Sequence, residues 1–362
     1  MADNVGAGAA ARGEASAPRD PGWAVLLSAL LAVVLIPGTP FLQVMLPVTQ
    51  PMLLLVPALA VCALVGWATG GSAWLALVWV AMAILTLRAF PVPVTALATM
   101  AKGWAILVAA LFGLLSMAGD RQSRFFPRAL TAVAMTLAIA VAALLVSGVS
   151  EKTLARTISD EIVARPHVAL DSVIHEMESP ESERRLANMT ADTAANAAYV
   201  RVMEEEMTVV PVKIGTTLFV ALLALESLAM LALGWGLYHR ISRTRIGPPL
   251  ARLRDFRFND ELVWGVIVGI VFIVLPRVTH SLPSWSVVGY NLVLFFGTLY
   301  ALRGLGVFAW FVRSARFSAV TLVAIAVVVG LLAVIGALAP ALGLIGLGDT
   351  WEDWRAKPKP TT

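Results

Sequence analysis

About nine apolar stretches divide this chain, most of them near the ~20 residues a helix needs to cross the hydrocarbon of a bilayer. They fall near 22–37, 52–69, 73–89, 94–117, 127–149, 212–237, 262–276, 285–311 and 317–339. In lipid every backbone polar group must be satisfied within the protein, so a chain with this pattern folds as a helix bundle. Composition agrees: charged residues are 14% and hydrophobic residues 59%, where a soluble domain carries roughly 25% charged residues. The expected fold is all-α, a polytopic transmembrane bundle with a small helical insert outside the membrane. In one span, Leu222–Leu233, a single acid stands alone, Glu226. A charge at bilayer depth costs at least ~2.5 kcal/mol, so it calls for a partner or a task.

The organisation follows from where the polar residues lie. Residues 1–21 are rich in Ala and Gly without periodicity, and read as a disordered leader. Residues 22–149 form an N-terminal membrane bundle of about five spans, and 212–348 a C-terminal one of about four. Phe41–Pro51 is apolar but broken by Pro47 and Pro51, which suggests a re-entrant or extended segment inside the bundle. Residues 349–362 read as a polar tail, and Gly343–Gly348 as a loose helix end.

Arginines set the orientation. Arg121, Arg124 and Arg128 fill one loop, and Arg240, Arg243, Arg245, Arg252, Arg254 and Arg257 another, with Arg313 and Arg316 at a third. All three fall on one side of nine spans, and positive loops stay cytoplasmic. The N-terminus is then cytoplasmic. Nine spans put the C-terminus outside, against which Lys357 and Lys359 argue; a break at Pro340, returning Ala341–Leu347 to the membrane, reconciles the two.

Residues 150–211 carry twelve acids against six bases, as an extracytoplasmic insert would. Leu154, Ile158 and Ile162 repeat at i+4, and Pro166 is placed to start a second helix. Within it His167, Asp171 and His175 share a helix face, a spacing that can hold zinc. In so acidic a segment the same spacing is also that of a solvated face, and no metal or other cofactor is expected.

Several segments carry a family resemblance. Phe258–Pro276 (FNDELVWGVIVGIVFIVLP), Asn291–Phe311 (NLVLFFGTLYALRGLGVFAWF), Leu342–Arg355 (LGLIGLGDTWEDWR) and the proline-punctuated Leu46–Gly71 are similar to the YybS-like family of bacterial membrane proteins. That resemblance implies a bundle like the substrate-binding S components of energy-coupling-factor transporters. Such components dock a coupling subunit through small residues on their first helix. Ala24, Ser28 and Ala32 lie four apart on the first span here, a spacing that equally serves packing within the chain.

Inside the spans the polar candidates are Lys102, Glu226, Asn291 and Arg303. Depth counting at 1.5 Å per residue matches Glu226 to Arg303 within ~4–5 Å, and matches Lys102 less well. Asn291 reads first as a hydrogen bond between helices and second as a ligand contact. Trp23, Trp74, Trp235, Trp264, Trp285 and Trp310 read as interfacial belt residues, and Trp104 as a possible cavity lining. Cys62, the single cysteine, excludes a disulfide within the chain. No phosphate-binding loop motif occurs.

The sequence therefore leads to an integral membrane protein without catalytic activity or nucleic-acid binding. It would bind or help move a small solute or lipid-like ligand, with other membrane subunits as partners. The alternative is a membrane scaffold or assembly factor acting through its acidic insert.

Overall fold

A computed structural model describes residues 49–89, 96–119, 124–150, 153–160, 210–279, 283–314, 328–329 and 337–355. The leader, Ala24, Ser28, Ala32, His167, Asp171 and His175 lie outside these residues, as do the first span and most of the last. The described residues are helical with short 3-10 turns and contain no strand. The helices are α1 (Thr49–Ala68), α2 (Ala73–Ala89), α3 (Ala96–Ala118), α4 (Phe125–Ser147), α5 (Val210–Ile241), α6 (Val263–Thr279), α7 (Pro283–Ser314) and α8 (Leu338–Glu352). Among them six are long and apolar enough to cross a membrane, and the apolar α2 has 17 residues, the short limit for a crossing. The fold is that of a polytopic helical membrane protein.

The chain divides into two compact units, which we describe separately. The larger holds residues 31–250 and 258–300. Its core is built on α1, which packs against α2, α3 and α5. Pro51 lies in the first turn of α1, where an amide hydrogen would have no helical partner. Pro57 sits inside the helix and cannot donate to the Leu53 carbonyl. The turn from α1 to α2 reverses at Gly70, whose φ of 98° is costly for any other residue.

One end of this unit closes on aromatic rings. Trp235 of α5 meets Phe112 of α3 at 5.8 Å and Phe125 of α4 at 5.6 Å between centroids. At the same end Tyr238 abuts Gly66 of α1 so closely that a Cβ there would collide with its hydroxyl. The turn after α3 and the loop after α5, both arginine-bearing, thus share one end of the unit. Residues 153–160 are helical, and there Ile158 and Leu154 pack with Leu97, Val212 and Phe219. The start of the acidic insert is therefore seated on the bundle. Further along, α6 and α7 cross through glycines: a Cβ on Gly289 would lie 2.7 Å from the Gly269 carbonyl oxygen.

The smaller unit holds residues 251–257 and 301–362 together with 1–30. Among its described residues the end of α7 packs on α8. A Cβ on Gly304 would fall on the Leu342 carbonyl oxygen and 2.9 Å from the Gly346 nitrogen. Gly343–Gly348 is therefore not a loose end but the middle of a helix, with Gly343 and Gly346 buried. Pro340 lies in that helix's first turn.

Two expectations need correction. Trp235 is not a belt residue: it is fully buried, and its indole N–H donates to the Pro248 carbonyl at 3.2 Å. Trp74 and Trp264, by contrast, are 73% and 63% exposed, as belt residues would be. Arg128, assigned to a loop, lies within α4 and is buried.

Candidate functional site

Glu226 stands sixteen residues after Val210 and fifteen before Ile241, the middle of the longest apolar run in the larger unit. It remains partly exposed. Its Oε2 accepts a hydrogen bond from Gln50 Nε2 at 2.8 Å. Gln50 belongs to the first turn of α1, where unsatisfied backbone amides leave a partial positive charge. A carboxylate is thus met by an amide donor at the positive end of a helix. Pro51, in the same first turn, suits a helix start.

The next residue joins a third helix to the same place. Ser227 is fully buried, donates its hydroxyl to the Leu223 carbonyl, and accepts the Trp104 indole N–H at 2.9 Å. Trp104 is buried as well, with 9% of its surface exposed. So two consecutive residues of α5 bind two different helices, Glu226 the amide of Gln50 on α1 and Ser227 the indole of Trp104 on α3. Gln50 and Ser227 were not singled out from the sequence. Gln50 stands between Pro47 and Pro51 in the sequence, and that position was the available signal.

Five residues along α5, Asn291 of α7 bridges the two helices. Its Oδ1 accepts from the Ala221 N–H at 2.8 Å, and its Nδ2 donates to the Thr217 and Val287 carbonyls at 2.6 and 2.8 Å. Ala221 N–H and Thr217 C=O are the two groups that close one helical turn, and a single amide addresses both. With both ends of its amide engaged, Asn291 is a clamp between helices. Lys102 of α3 is partly exposed and makes no ion pair or hydrogen bond among the described residues.

Arg303 belongs to the smaller unit, so it and Glu226 fall in different units. Its own unit supplies a carboxylate that the sequence reading assigned to the polar tail. Arg303 Nε donates to Asp349 Oδ2 at 3.0 Å, and Nη2 to the Asp349 carbonyl at 3.2 Å. Arg355 Nη2 reaches the same Oδ2. Asp349 is fully buried, and both guanidinium groups are nearly so. Arg355 also donates from Nη1 to the Arg254 and Phe256 carbonyls at 2.8 and 3.1 Å, and Arg257 pairs with Asp353 at 2.6 Å. This cluster ties α7, α8 and the 251–257 segment together. It also places residues 353–355 against the 251–257 segment of the same unit.

Residues 25–350 match the model of a family described as "Predicted membrane protein (DUF2232)". No curated protein and no solved structure matches the chain.

Proposed function

The chain belongs to the DUF2232 family of membrane proteins, and for it we propose a role in binding or helping to move a small solute or lipid-like ligand with a partner chain. The N-terminus and the arginine loops face the cytoplasm in this reading, and the membrane is the bacterial inner one. One observation carries it: a carboxylate at the centre of α5 meets Gln50 in the first turn of α1, next to Pro51. Transporters build midplane sites in this way, because a helix end inside the membrane brings unsatisfied donors to a ligand. Trp104 bonds Ser227, the next residue of α5, and so holds α3 against the helix that bears the carboxylate. Asn291 and the Arg303–Asp349–Arg355 cluster hold helices in place around their respective parts and take no ligand role here.

The test is purification in mild detergent, with mass spectrometry of the proteins and small molecules that co-purify. A small molecule or membrane subunit near one-to-one supports the reading. A chain recovered alone and empty favours the scaffold reading, in which partners bind the acidic insert.

A further inference from the structure

The last turn of α5 and the loop after it carry six arginines, and the structure divides them into two sets. Arg254 pairs with Asp255, Arg257 pairs with Asp353, and Arg252 is engaged as well. Arg240, Arg243 and Arg245 are exposed and make no ion pair or side-chain hydrogen bond among the described residues. They stand on the last turn of α5 and the five residues that follow it. No acid occurs between Glu226 and Asp255 to neutralise them. Ile241, between the first two, is an apolar side chain with 52% of its surface exposed.

The backbone that bears them is fixed. Ile246 is buried, Trp235 donates to the Pro248 carbonyl, and both ring nitrogens of His239 lie within 3.1 Å of carbonyl oxygens, those of Trp235 and Gly247. Ser242 donates to the Tyr238 hydroxyl and accepts from the Thr244 N–H. Three cations are thus displayed on an ordered loop at the end of a membrane helix, beside an exposed aliphatic side chain.

We propose that Arg240, Arg243 and Arg245 form a binding site for the headgroup phosphate of an anionic membrane lipid, with Ile241 against its acyl chains. Guanidinium forks match phosphate oxygens in geometry and charge. Basic residues next to a membrane helix each contribute about 1 kcal/mol toward an anionic surface.

The test uses the full chain in detergent, with phosphatidylglycerol or phosphatidylcholine added at matched concentration and binding read by native mass spectrometry. The wild-type protein should hold phosphatidylglycerol in preference. Arg240→Gln, Arg243→Gln and Arg245→Gln together should lower its affinity on the order of 100-fold. Arg88→Gln, at the far end of α2, should leave it unchanged. The triple change to lysine, which keeps the charge and loses the fork, should bind more weakly than wild type and more tightly than the glutamine variant. If the glutamine variant loses its helix content, wild-type affinity as a function of salt decides, and should fall as salt rises. The proposal is overturned by equal binding of the two lipids, by a triple glutamine variant that binds as wild type, or by affinity independent of salt. Displacement of the lipid by an equal concentration of inorganic phosphate would also overturn it, since the site would then serve a free anion.

Discussion

Asp349 and Glu226 each carry a carboxylate into apolar surroundings, and they are held in different ways. Asp349 is fully buried and receives two guanidinium groups, one of which also binds backbone carbonyls of a neighbouring segment. Glu226 is partly exposed at the centre of a long helix, where its own unit presents an amide donor and a neighbouring indole–hydroxyl pair. Desolvating a charge is tolerable only when its hydrogen-bonding capacity is met. Around Asp349 that capacity is filled by groups whose other bonds fix the chain, so the cluster is a fastening. Around Glu226 the described donor is the Gln50 amide, a neutral group on a separate helix, which suits a place that exchanges partners.

The sharpest test of this contrast is Asp349→Asn, which leaves two buried guanidinium groups facing an amide. Breaking a buried ion pair typically costs ~3–5 kcal/mol, and denaturation in detergent should show a loss of that size. A loss under ~1 kcal/mol would mean the cluster is not what fastens α8. Gly304→Leu comes next. Its side chain would enter the backbone of α8, and overpacking of this kind costs ~1–3 kcal/mol. On the same helix, a Cβ at Gly297 meets nothing within 4 Å, so Gly297→Ala should be neutral or gain ~0.5–1 kcal/mol. Equal effects of the two changes would remove the close α7–α8 approach from the account.

In the larger unit the expected effects are smaller. Asn291→Leu removes the bridge from α7 to the Ala221–Thr217 turn, and should cost roughly 1–2 kcal/mol in thermal unfolding without altering ligand content. Loss of ligand at unchanged stability would move Asn291 into the site. Trp104→Phe removes one hydrogen bond to Ser227 and keeps most of the ring, so about 1 kcal/mol is expected.

The spans were legible because long apolar runs leave a chain in lipid one option. The helix at Ala73–Ala89 runs over the very residues its hydropathy marks out. Both α5 and α7 extend past their apolar runs, since residues such as Tyr238 and His239 continue a helix once packing holds them. Trp235 was assigned to the interface by its position near a span end. Position along a helix does not tell which way a side chain faces, and here Phe112 and Phe125 claim it. Asp349 was passed over because it follows a glycine-rich apolar run that looks like a frayed end. Its signal was Arg303 itself, a cation at depth that requires an anion, with the small residues Gly304 and Gly346 permitting the approach. The neighbourhood of Glu226 was half legible. A lone acid in an apolar helix announces itself, while its neutral neighbours Gln50 and Ser227 carry no charge to mark them.

The most direct measurement compares the small molecules retained by the wild-type protein and by Glu226→Gln, purified side by side in mild detergent with matched helix content. A ligand present near one-to-one on the wild type and reduced at least tenfold on the variant is the predicted result. The same complement of small molecules on both proteins would contradict the assignment of Glu226 as the functional carboxylate.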